Sequence, residues 1–229
     1  MKAIVYAFVA AVIILGVLQG CSKEDDELSA SGADYSRNYV DMYVCPLSMD
    51  MDFYPYSPNI LRVEFDGRTI TSHTQKEDVQ NEFLSLAEKY GDTAYNRKMI
   101  PYSNQALSLH MCSLSVVCNR DFAGVPAGES LEGVVWLYAA SAYDYISNGY
   151  NEVDSDCPEG WESAIYSPDY YVPVYRRPGH FGDDGLKMLY PECAVYFDSV
   201  PVDKEEYTFT VTFDFDDGSS VSGKVSHVF

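Results

Sequence analysis

Between Tyr207 and Phe215 aromatic residues and Val211 alternate strictly with threonine and aspartate. Side chains on a strand point to opposite faces with a period of two, so this pattern describes a strand buried on one face only. Asp216, Asp217 and Gly218 follow, a sequence suited to a three-residue turn with glycine in the left-handed position. A hairpin closed there sets Phe213 opposite Val221 and Phe209 opposite Val225. Its one apolar face must be covered by a second layer, which points to a mainly β, antiparallel sandwich.

Other stretches supply further elements. A short first strand is expected around Tyr39 to Val44. Asp66-Gly67 carries the signal of a two-residue hairpin turn, which sets Phe65 opposite Arg68 and Val63 opposite Ile70. Thr74 and Glu77 have the spacing of a capping box. Behind them Val79, Phe83, Leu86, Ala87 and Tyr90 form one helical stripe, and Gly91 is a natural stop. One packed helix is therefore expected over about 75–90. Asn104 to Asn119 reads as extended, with a change of parity that suggests a bulge or bend near Cys112. Val134 to Tyr138 is an apolar strand. Residues 150 to 191 carry no clear pattern, and a connection of that length should hide strands or a functional insertion.

The N-terminus is of a different kind. Lys2 precedes an apolar run of about sixteen residues, short of the ~20 that a spanning helix needs. The run ends in Leu18, Gln19, Gly20 and Cys21, the form of a secretory signal. These four residues resemble the lipobox of bacterial lipoproteins. That resemblance implies cleavage before Cys21, a diacylglycerol on its sulfur, and a membrane contact made by lipid rather than by a spanning helix. Several buried acyl methylenes at ~0.8 kcal/mol each make such an anchor firm. Residues 1–20 then form the signal, 21–34 a lipidated and disordered acidic tether, and 35–229 one sandwich domain. The run Ser22, Lys23, Glu24, Asp25, Asp26, Glu27 resembles the surface-export signal of Bacteroidetes lipoproteins. With the segments Pro126–Leu131 and Glu206–Gly218 it makes the chain look like small lipoproteins of that group that carry domains of unknown function. The resemblance implies an immunoglobulin-like sandwich on the outer membrane, exposed at the cell surface, and brings no catalytic residue with it.

Charge narrows the partners. Fifteen Lys and Arg against 35 Asp and Glu give a net charge of −20, which repels phosphate backbones and excludes nucleic acid as an expected partner. With Cys21 acylated, Cys45, Cys112, Cys118, Cys157 and Cys193 remain, an odd number. Cys112 and Cys118 lie about 20 Å apart along an extended chain at ~3.3 Å per residue and do not bridge. Pairing of Cys157 with Cys193 stays open, and no spacing is that of a zinc site.

No nucleophile elbow, metalloprotease motif, phosphate loop or dinucleotide glycine pattern is present. The four histidines lack ligand spacing, and His110 reads as an interior histidine. Asp214, Asp216, Asp217 and Gly218 are explained by turn chemistry without calcium. No catalytic residue, metal or cofactor is expected. Aromatic residues are the more telling feature. Twenty tyrosines and two tryptophans exceed what a core of this size needs. Trp161, Tyr166, Tyr170, Tyr171 and Tyr175 are the candidate ligand-binding residues, and Tyr143, Tyr145 and Tyr150 share their stretch. A flat apolar face with a polar tip suits sugar rings or a protein surface, and it equally suits capping the open end of a sandwich. The expected role is a non-catalytic binding module for glycan or an exported protein. Alternatives are an assembly subunit of an envelope complex and a hydrolase with an unrecognised acidic pair.

Overall fold

A computed structural model of the chain describes residues 34–154 and 168–229. The elements in chain order are β1 (Asp34–Ser36), β2 (Met42–Tyr54), β3 (Ser57–Thr71), α1 (Glu77–Tyr90), β4 (Arg97–Met99), β5 (Gln105–Leu107), β6 (Met111–Cys118) and β7 (Val135–Ser141). They continue with α2 (Tyr143–Ser147), β8 (Val172–Arg176), β9 (Gly179–His180), β10 (Glu192–Phe197), β11 (Glu206–Phe215) and β12 (Ser220–Val228). Six strands form one sheet in the order β5-β2-β3-β10-β7-β8, four form another in the order β12-β11-β6-β9, and β1 pairs with β4. Every pairing is antiparallel except β2 with β5. The architecture is the mainly β sandwich expected. Among the described residues no helix is long and apolar enough to cross a membrane.

Two cores explain why the central strands read as unbroken apolar runs. Leu61, Val63, Leu137 and Val195 of the larger sheet face Leu114, Val116, Phe209 and Phe213 of the smaller one. On its other side the larger sheet presents Tyr43, Ile70, Tyr138, Ala194 and Tyr196 to Phe83, Ala87 and Tyr90 of α1 and to Tyr145 and Ile146 of α2. Strands β7 and β10 are thus buried on both faces, whereas β11 is buried on one. The register of β11 with β12 is the one the alternation predicts, Phe213 on Val221 and Phe209 on Val225. Gly218 closes the turn at φ 82°.

The expected bulge is also present. The pairing of β11 with β6 slips between Asp214 and Phe215, which leave Cys112 unpaired between Ser113 and Met111. The extended run predicted for Asn104 to Asn119 breaks into β5 and β6, because β5 pairs parallel with β2 and β6 joins the other sheet. The stretch from 150 to 191 does hide strands, β8 and β9.

Asp66-Gly67 is not a hairpin turn. Strand β3 runs straight through it, and the chain reverses at Pro55-Tyr56 instead. Gly67 pairs with Pro46 and Asp66 with Ser48, so Leu47 bulges out at 69% exposure. A Cβ at Gly67 would stand 2.0 Å from the carbonyl oxygen of Cys45. Glycine is required here for a close backbone approach, not for positive φ. The bulge also reverses parity along β2: Val44 and, beyond it, Met49, Met51 and Phe53 all face the inter-sheet core. Val63 and Ile70 therefore lie on opposite faces of one strand. Gly67→Ala is expected to destabilise at the upper end of the ~1–3 kcal/mol typical of overpacking, because the obstructing atom is backbone. Urea unfolding of the variant beside the parent measures it.

The helix forms where expected but without the capping box. Lys76 is the N-cap residue and makes no side-chain capping bond. The Thr74 hydroxyl accepts the N–H of Lys76 at 3.2 Å, two residues on, so it is spent on a local turn. Glu77 is then the first helical residue, and with Asp78 it places acidic charge at the positive end of the helix. Gly91 ends α1 in the left-handed conformation. A second helix, the five-residue α2, was not foreseen.

Candidate binding cleft

Two carboxylates with no exposed surface, Asp41 and Asp92, organise one end of the second core. Asp92 follows the C-terminus of α1 and accepts the backbone N–H of Tyr39 at 2.7 Å, that of Val40 at 2.8 Å, and the hydroxyl of Tyr150 at 3.0 Å. Asp41 accepts the N–H groups of Tyr102 and Asn104, and His73 Nε2 lies 3.2 Å away. One carboxylate thus fixes the segment that carries Tyr39, the other the turn that leads from β4 to β5. Burial raises the pKa of both. For Asp92 it reaches about 6, against the three hydrogen bonds that favour the anion.

Tyr39 is the centre of this arrangement. Its ring meets Tyr145 edge-on at 4.8 Å and Tyr95 at 5.3 Å, and its hydroxyl donates to the carbonyl of Asp169. Next along the chain, Tyr170 adopts φ 68° and stacks on Tyr145 at 5.0 Å and 13°. A non-glycine residue in this region costs on the order of 1–3 kcal/mol and persists only where its surroundings hold it. Tyr170 remains 46% exposed.

These residues enclose a cleft of about 340 Å³, lined by Tyr39, Tyr95, Lys98, Ser103, Asp169 and Tyr170 among others. A neighbouring cleft of about 480 Å³ shares Asp169 and Tyr170 and extends toward Glu152 and Val172. Burial lifts the phenols of Tyr39 and Tyr95 above their ordinary range, so both stay neutral donors at physiological pH.

Of the residues singled out from the sequence, Tyr170 lies at the cleft. Tyr171 does not offer its ring to a ligand: it is 6% exposed, belongs to the second core, and donates its hydroxyl to the carbonyl of Gln105 at 2.7 Å. Tyr145 and Tyr150 are likewise interior. Tyr175 sits on β8 and stacks on Trp136 at 4.1 Å. Arg177 lies 3.7 Å over the same indole and pairs with Asp198 at 3.0 Å, so its cation is packed and paired. Cys21, Cys157, Trp161 and Tyr166 lie outside the described residues. Cys45, Cys112, Cys118 and Cys193 are free thiols, and Cys193 is buried.

Sequence reasoning missed Tyr39, Tyr95, Lys98, Ser103 and Asp169. No local signal joins them, because the chain brings them together from three separate stretches. Asp214, Asp216 and Asp217 are accounted for by turn and ladder contacts: Asp214 accepts the hydroxyls of Ser113 and Ser220, Asp216 the N–H of His110, and Asp217 the N–H of Ser219. His110 is half-buried, its Nδ1 3.6 Å from Asp216, and burial lowers its pKa. Among the described residues no group of three His, Cys, Asp or Glu side chains is placed to hold a metal ion.

Because Asp92 protonates near pH 6 in the folded chain and near 4 when unfolded, the folded state binds the extra proton between those values. Its contribution is therefore fully present below about pH 4 and declines as pH rises through 6, by about 3 kcal/mol at ~1.4 kcal/mol per unit. Denaturation midpoints of the parent and Asp92→Ala between pH 4 and 7 should separate as pH falls. The chain matches no protein-family model, no curated protein and no solved structure.

Proposed function

We propose that this chain is a lipid-anchored protein of the cell envelope that acts by binding, with its site at the tyrosine-lined cleft. The observation that carries the binding reading is the cleft itself, where an exposed ring is held in a strained backbone beside open polar groups. Pockets of about 300–1,000 Å³ with a few converging polar groups are the usual form of a ligand site. The anchoring reading rests on Leu18, Gln19, Gly20 and Cys21, and on the acidic run behind them. A tether from Cys21 to Asp34 would leave the folded part free to meet an external glycan or exported protein. In cell fractionation the parent is expected in the outer-membrane pellet, and Cys21→Ala in the soluble or inner-membrane fraction without acyl label. An unchanged distribution would refute the anchor.

A further inference from the structure

The cleft has one property that narrows its occupant. Most charged side chains near it are already engaged: Arg97 donates to the Tyr145 hydroxyl at 3.2 Å, and Asp41 and Asp92 are saturated by backbone N–H groups. By contrast, the hydroxyls of Tyr95, Tyr170 and Ser103, the ammonium of Lys98 and the carboxylate of Asp169 have no partner among the described residues. These five groups surround the rings of Tyr39, Tyr95 and Tyr170. Hydroxyls act as donor or acceptor, ammonium only donates, and carboxylate only accepts.

Resting on the binding reading above, we infer that this cleft is a subsite for an uncharged sugar ring, with Tyr170 as its stacking face. A pyranose presents what the cleft lacks: an apolar C–H face for an aromatic ring, and a rim of hydroxyls that both donate and accept. One ammonium and one carboxylate leave the cleft without net charge, and the molecule's −20 opposes the approach of an acidic polysaccharide. A protein loop would need a larger apolar area than one half-exposed tyrosine supplies. A volume of about 340 Å³ accepts the end of a short oligosaccharide. The adjoining cleft shares Asp169 and Tyr170, so a longer chain can continue across the same ring. Asp92 and Asp41 are positioning residues here, setting Tyr39 and Ser103 through the backbone.

The test is titration of the full chain in detergent with neutral gluco-, manno- and galacto-configured oligosaccharides, and with polygalacturonate as the acidic counterpart. At least one neutral series is expected to bind. Tyr170→Ala should weaken it about tenfold, Tyr170→Phe by less than about threefold, and Lys98→Ala by a similar small factor. All three variants alter surface groups, so thermal midpoints close to the parent's will confirm that the fold is intact. Binding of polygalacturonate alone, or neutral binding unaffected by Tyr170→Ala, overturns the inference and leaves a binding protein with another ligand or site. Absence of binding to every saccharide, with an envelope protein captured and released by Tyr170→Ala, overturns the sugar while keeping the cleft.

Discussion

Asp92→Ala is expected to destabilise the chain by about 2–6 kcal/mol at pH 7. The mutation leaves the N–H groups of Tyr39 and Val40 buried without acceptors, at ~1–3 kcal/mol each. It also frees the Tyr150 hydroxyl, which still accepts the N–H of Ala94 at 3.1 Å and so is the smaller loss. Asp92→Asn should be little better. An amide offers one oxygen where two N–H groups are served by two, and its NH₂ would face a donor. Against a total of ~5–15 kcal/mol for a domain, either loss is large. Urea denaturation followed by tyrosine fluorescence reads it, and a shift below 1 kcal/mol would show that the segment is held by packing alone.

Phe209→Ala is the second large effect, expected at about 3–5 kcal/mol for a fully buried phenylalanine. The ring lies 5.0 Å from Phe197, 5.2 Å from Phe122, 5.7 Å from Phe53 and 6.1 Å from Phe229. A cavity there is walled by two strands, β2 and β10, by the loop before β7 and by the residue that follows β12, so it cannot collapse from one side. Thr208 and Thr212, on the outer face of the same strand, hydrogen-bond through their hydroxyls to Ser226 and Ser222 at 2.8 Å. Their alanine variants should stay within about 0.5 kcal/mol of the parent. Equal losses at Phe209 and Thr208 would contradict the register of the last hairpin.

The contrast between these two residues marks what the sequence makes readable. Strand β11 is buried on one face, so its period of two is printed in the residues and sets the register of β12. The stripe of α1 is legible for the same reason. Strands β7 and β10 are buried on both faces, and a continuous apolar run says nothing about which neighbour each side meets. Asp66-Gly67 misleads because glycine serves two needs, positive φ and close approach, and only the strand opposite shows which applies. Tyrosine is ambiguous in the same manner. Tyr145, Tyr150 and Tyr171 fill the second core, while Tyr170, in the same stretch, is turned outward by a left-handed backbone that composition does not reveal. The cleft depends on contacts spanning residues 39 to 170, and no local pattern encodes such a contact.

The proposed anchor on Cys21 would decide which molecules this cleft can meet, and mass spectrometry of the protein isolated from its source cells tests that proposal most directly. The expected species is a chain that begins at Cys21 and carries a diacylglycerol, with its two acyl groups, on the sulfur. A chain that retains Met1, with Cys21 unmodified, would contradict it.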